Sequence, residues 1–132
     1  MLMQFILKGQ CLSGKNHMQV ARNGKHYPLK RWAAWRDDML WQIRRPKEPM
    51  IGWLKVRVVF THANNLRRDV PGLLDALCHV LEHAGVVNDD SQIIQWDVQT
   101  NLPPFKALAG CAITLETLEK HTWPLTKNGK AA

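Results

Sequence analysis

The sequence predicts an α+β fold, a small mixed β-sheet covered by two helices in the order β-α-β-α-β-β. Two kinds of periodicity and their punctuation predict it. Four apolar segments alternate with a period of two, and two others repeat apolar residues every three or four positions. Prolines, glycines and asparagines separate them. Two amphipathic helices covering one sheet is the economical way to bury both kinds of apolar face.

In the opening stretch "MLMQFIL", Met3, Phe5 and Leu7 alternate with Gln4, Ile6 and Lys8, the signature of a strand. Residues 9–28 turn polar, with "SGKNH" and "RNGKHYP" as turn signals, and read as one long loop carrying Lys15, Asn16, His17, Arg22, Lys25 and His26. Residues 29–45 read as a helix with Trp32, Trp35, Met39 and Ile43 along one face, stopped by Pro46. Residues 52–61 form the next strand, with Leu54, Val56, Val58 and Phe60 facing one way. A second helix runs from about Val70 to Ala84, with Leu73, Leu77, Leu81 and Ala84 on its core side and Gly85 as its stop. Ile94, Trp96 and Val98 mark a third strand, "LPPFKALAG" a prolyl loop, and "CAITLETL" the fourth strand. The tail from about residue 121 is expected to fray.

A chain of 132 residues corresponds to a single domain, spanning 1–132. The formal charge of +7 sets up a field that attracts polyanions. Cys11, Cys78 and Cys111 sit among apolar residues without a CxxC spacing, so buried free thiols are expected rather than a bridge or a zinc site. That usage fits a reducing, cytoplasmic setting. No apolar run approaches the roughly 18 residues of a membrane span, and "MLMQFIL" lacks the basic flank of a signal peptide.

Against the basic background stand acids at chosen places. Asp69 occupies a helix N-cap position with Pro71 just inside the helix, and capping alone would account for it. Asp89 and Asp90 follow Asn88 at a turn, where a turn role covers one of them and the repulsion between two invites a cation or an arginine. Hard cations such as Mg²⁺ take carboxylate oxygens, water and substrate phosphate. One acid from a helix start and a pair from a distant turn can build such a site. Asp75 lies off the leucine stripe, with His79 and Glu82 on its side of the helix, as either a ligand or part of a solvated face.

The segment "RRDVPGLLDALCHVLEHAGVVNDDSQI", residues 67–93, resembles the central motif of the RusA-type Holliday junction resolvases. That motif runs basic pair, Asp-x-Asp-Asn, helix, Ala-Gly or its equivalent, then Asp-Asp-x-Gln before a strand. A looser similarity extends over nearly the whole chain. The resemblance implies a homodimeric, Mg²⁺-dependent endodeoxyribonuclease that cuts four-way DNA junctions, of a kind often carried by prophages. It places the first metal-binding acid on Asp69 and the pair on Asp89 and Asp90. The chain departs from the pattern at Pro71 and Gly72, where the family has Asp and Asn, and at Asp75, where it has a functional Lys. On a helix, positions 71 and 75 point within about 40° of each other, so Asp75 can reach back toward the place of the missing acid. Rebuilding the family pattern at positions 71, 72 and 75 is accordingly expected to keep activity.

The leading expectation is a nuclease acting in recombination or repair, with Mg²⁺ (Mn²⁺ as a substitute) held by Asp69 and Asp90 and completed by Asp75 and Asp89. Arg67, Arg68, Lys15, Asn16, Arg22 and Lys25 are the expected DNA-binding residues, contacting backbone phosphates. The alternative is a module of the same fold that holds branched DNA without cutting it. A basic RNA-binding domain would instead use Trp53 and Trp96 as stacking platforms, positions that packing also explains.

Overall fold

The structure is a computed structural model describing residues 1–15 and 18–118. In chain order the elements are β1 (Leu2–Lys8), β2 (Met18–Val20), β3 (His26–Pro28), α1 (Lys30–Gln42), β4 (Leu54–Thr61), α2 (Val70–His83), β5 (Ile93–Asn101) and β6 (Gly110–Thr117). Single 3-10 turns precede β5, at Asp90–Gln92, and β6, at Lys106–Leu108. The main sheet has the order β1-β6-β4-β5. Its β1–β6 and β6–β4 pairs are antiparallel and its β4–β5 pair parallel, with α2 as the crossover between the parallel strands. This is the mixed sheet with two helices that the sequence predicts.

The alternation in β4 explains its central place. Leu54, Val56, Val58 and Phe60 are all fully buried, while the residues between them face the other side. Ile113 and Leu115 of β6 and Leu7 of β1 continue the same buried face, in register with β4. Trp32, Trp35 and Met39 of α1 close over it together with Leu73, Ala76, Leu77, Val80 and Leu81 of α2. The opposite face of the sheet stays wet and carries the exposed Arg57–Asp97 pair at 3.7 Å. All three thiols are free and buried, as expected.

Two local expectations are corrected. Residues 9–28 are not one loop, because β2 and β3 pair as an antiparallel ribbon within them. Strands of three residues each are too short to display a period. Arg22 and Lys25 flank the turn of this ribbon, which closes through Ala21 N–H to the Lys25 carbonyl and through Gly24 at φ +81°. Helix α1 ends at Gln42, before Pro46, because Ile43 turns to extended backbone at φ −98° and ψ 119° with its N–H on the Leu40 carbonyl, and the Gln42 side chain ties this end to β1. Its Oε1 accepts from Lys8 N–H at 2.6 Å and its Nε2 donates to the Lys8 carbonyl at 2.8 Å. The strand expected at Ile94, Trp96 and Val98 is β5, which has a register shift against Leu54 and Lys55 of β4, with Ile93 buried and Ile94 and Trp96 partly exposed. The helix stop at Gly85 holds, with φ +71°. Asn16, His17 and the tail from 121 lie outside the described residues.

No helix among the described residues is long and apolar enough to cross a membrane.

Candidate functional site

The segment between β1 and β2 forms a strap across the first turns of α2. Gln10 anchors its start: its Nε2 donates to His62 Nδ1 at 3.0 Å and its Oε1 accepts from Ala63 N–H at 2.7 Å. His62 is buried, stacks on Phe60, and is held toward the neutral form by burial and then by Arg68. Further along, Gly14 N–H donates to the Gly72 carbonyl at 2.8 Å. The approach is close enough that a Cβ on Gly72 would run into Ser13 Oγ, and one on Gly14 would lie 2.7 Å from Asp75 Oδ2. These contacts explain the glycine at 72. Asparagine there, as in the rebuilt family pattern, would require the Ser13 and Asp69 side chains to move.

Asp69 is the N-cap residue of α2 by position, with Pro71 in the first turn, yet its side chain makes no capping hydrogen bond. Its Oδ2 instead pairs with Lys15 Nζ at 3.1 Å, so the strap supplies the counter-charge. The pair borders a cleft of about 390 Å³ that Arg31, Arg67 and Arg68 also line. Arg68 is braced by Nη2 donating to Asn64 Oδ1 at 2.8 Å. Arg22 and Lys25, on the ribbon, do not line this cleft.

Beside it lies a smaller cavity of about 140 Å³, lined by Gly14, Trp32, Asp75, Ala76, His79, Glu82 and Asp90. Trp32 lines both hollows. Asp75, His79 and Glu82 fall at helical spacings of four and three along α2, which carries all three to one wall. The 3-10 turn brings Asp90 to them, and Asp90 N–H donates to Glu82 Oε1 at 2.9 Å. Asp89 caps that turn, its Oδ1 accepting from Ser91 N–H at 2.8 Å, and Gln92 completes a capping box. Gln92 also pins the turn to the core, its Nε2 donating to the Met50 and Gly52 carbonyls at 2.9 and 3.0 Å. Replacing Asp89 by alanine is therefore expected to cost about 1 kcal/mol in denaturant titration, the usual loss of a cap.

Glu82, Asp89 and Asp90 each offer a carboxylate oxygen, all within 4.8 Å of one another. The crowding registers in their charge states. Burial, followed by Glu82 and Asp89 and more weakly Asp75, raises the Asp90 carboxyl above the usual range. Hydrogen bonds from Ser91 lower that of Asp89. Burial, with the acids Asp90, Glu82 and Asp75 behind it, pushes the Cys78 thiol up to about 12, so it is a neutral packing group and no nucleophile.

Of the expected metal ligands, Asp89 and Asp90 meet, Asp75 lines the same cavity as Asp90, and Asp69 stands in the neighbouring cleft with Lys15. Glu82 joins the acids although it was expected only as a neighbour of Asp75. Its signal was available in its spacing of seven from Asp75, two helical turns along one face. No protein-family model matches the chain, and no curated protein matches it.

Proposed function

We propose that the protein is a divalent-cation-dependent endodeoxyribonuclease acting on branched DNA, four-way junctions foremost, in line with the RusA-type resemblance of residues 67–93. One observation carries the reading: three carboxylates lie within ligand distance of one another, and two of them, Glu82 and Asp90, line a cavity that shares Trp32 with a cleft bordered by Lys15, Arg31, Arg67 and Arg68. The donor set is all oxygen, which suits Mg²⁺ or Mn²⁺ and not a soft metal. Glu82, Asp89 and Asp90 would hold the ion, with Asp75 on the cavity wall. Such an ion supplies a more acidic water and a Lewis acid for the phosphodiester. The chain's own part is to hold the strand. Arg67 and Arg68 neutralise backbone phosphates, and Asp69 positions the Lys15 ammonium for the same task. A homodimer would present a second site to the other strand of a junction.

A second reading, branched-DNA binding without cutting, is favoured by the engagement of Asp69 with Lys15. Incubation of the protein with a labelled four-way junction, with and without Mg²⁺ or Mn²⁺, separates the two. Metal-dependent nicks are expected. A bound junction that stays intact at every metal concentration establishes the second reading.

Metal should also raise thermal stability, because a ligand that prefers the folded state stabilises it, by about 2.7 kcal/mol at a hundredfold excess over Kd. The pH dependence has a definite sign. Asp90 must lose its proton to ligate, and its pKa is raised. The stabilisation by Mn²⁺ is therefore expected to fade as pH falls through the raised pKa of Asp90, earlier than for an ordinary aspartate. Calorimetry across the acid range checks this.

A further inference from the structure

The larger cleft has a composition that phosphate contacts alone do not explain. Four cations, Lys15, Arg31, Arg67 and Arg68, face one carboxylate, Asp69. Among the described residues Lys15 pairs with that carboxylate, while Arg31 and Arg67 enter no ion pair. The Nε of Arg68 is shut off from solvent with no hydrogen-bond partner among the described residues. The remaining wall is mostly apolar, formed by Cys11, Leu12, Leu29, Trp32 and Leu73 with Ser13 among them. Trp32 is almost fully buried and already packed, with Arg36 over its ring at 5.6 Å and Trp35 at 6.1 Å. Leu29 is the exposed member of that wall, 36% accessible.

A cleft of about 390 Å³ lies in the size range of small-molecule sites. Its two halves ask for different chemistry. A bare inorganic anion would satisfy the cations and leave the leucine wall wet. A hydrocarbon ligand would strip water from the arginines without compensating them. A nucleoside 5′-phosphate has both parts, an anion for the arginines and a flat, largely apolar base for Leu29 and Leu12.

We infer that this cleft is a nucleotide pocket, in which Arg31 and Arg67 hold a phosphate and Leu29 carries the base. The pocket takes the unit either free or as an unpaired nucleotide of a DNA strand. In the second form the inference deepens the proposed nuclease reading and rests on it, since Trp32 lines both this cleft and the cavity of Asp75, Glu82 and Asp90. Arg31 and Leu29 sit on the entry to α1, remote in sequence from the motif at 67–93, so no motif reading includes them.

The test is titration calorimetry in EDTA, with deoxyadenosine 5′-monophosphate, deoxyadenosine and inorganic phosphate as separate probes. The monophosphate is expected to bind at least about tenfold more tightly than either part, because both halves of the cleft then contribute. Arg31→Glu should weaken it by about tenfold or more through reversal of one charge. Leu29→Asn should weaken the monophosphate several-fold and leave inorganic phosphate unchanged. Asparagine is a favoured N-cap residue and Leu29 is the N-cap of α1, so that variant keeps its fold. Inorganic phosphate binding as tightly as the monophosphate, or Arg31→Glu binding like the parent, would overturn the pocket. A junction carrying one unpaired nucleotide, compared with fully paired duplex, separates the two sources. Tighter binding of the junction that Leu29→Asn abolishes supports the in-strand form, whereas monophosphate binding without that preference limits the pocket to free nucleotides. Since no metal is present, nucleotide binding in a protein that never cuts DNA would sink the nuclease proposal and leave the pocket standing. Cutting without nucleotide binding would do the reverse.

Discussion

Asp90→Asn is expected to abolish metal-dependent cutting, lowering the rate by about a thousandfold or more, while the protein becomes no less stable. The two halves of this result have one cause. Asp90 stands closest to the crowding, its N–H on Glu82 and its carboxyl raised by burial, Glu82, Asp89 and Asp75. A carboxyl whose folded pKa exceeds its unfolded value contributes stability only while protonated, and that contribution is lost as pH rises through the folded pKa. At neutral pH the ionised Asp90 therefore weighs against the fold, and a neutral amide of the same shape removes that burden. The amide also removes the ligand charge. Melting curves should show an equal or higher Tm without metal, and a loss of the increment that Mn²⁺ produces in the parent protein. Junction binding should survive, because taking away a negative charge beside phosphates does not weaken attraction. Cutting by Asp90→Asn at the parent rate would remove Asp90 from the site. Asp75→Asn serves as the graded comparison: Asp75 lines the cavity without joining the group of three, so its loss should diminish metal stabilisation less.

Gly14→Ala is expected to destabilise the fold by about 1–3 kcal/mol, the usual cost of forcing a methyl group into a packed contact. The new Cβ would lie 2.7 Å from Asp75 Oδ2 and 3.1 Å from the backbone nitrogen of Ala76. The carboxylate can swing away, but the helix backbone is held by its own hydrogen bonds, so the strap must shift outward by a few tenths of an ångström. That shift strains the Gly14 N–H bond to Gly72 and the neighbouring Lys15–Asp69 pair. Denaturant titration reads the stability, and salt dependence of junction binding reads the lost phosphate contact, about one unit of slope for each. Gly24→Ala is the control. It also strains a backbone, at φ +81°, but in open space on the β2–β3 turn, so stability should fall with little change at the cleft.

Local order in the chain was enough to read most of the fold. The alternation of Leu54, Val56, Val58 and Phe60 forces one face of β4 inward whatever surrounds it, and all four are buried. The spacing of Trp32, Trp35 and Met39 does the same for α1, and Gly85 ends α2 because a positive φ suits glycine. The acids at 89 and 90, and Asp75 on its helix face, were legible for the same reason, since turn chemistry and helical spacing are properties of neighbours in sequence. Tertiary structure alone decided the rest. The strap lies on α2 because Gly14 leaves room for Asp75 and Ala76 and Gly72 leaves room for Ser13, residues distant in the chain. Asp69 forgoes its capping bond because Lys15, 54 positions earlier in the numbering, arrives with a charge. Glu82 becomes a partner of Asp90 only when the 3-10 turn, pinned by Gln92 to the Met50 and Gly52 carbonyls, folds back on the helix. Arg31 reaches the same cleft as Arg67 only through the packing of α1 against α2. Periodicity records which way a side chain points, a choice made within a few residues. Which distant side chain it then meets depends on how whole elements dock, a sum over many contacts that no short stretch of sequence contains.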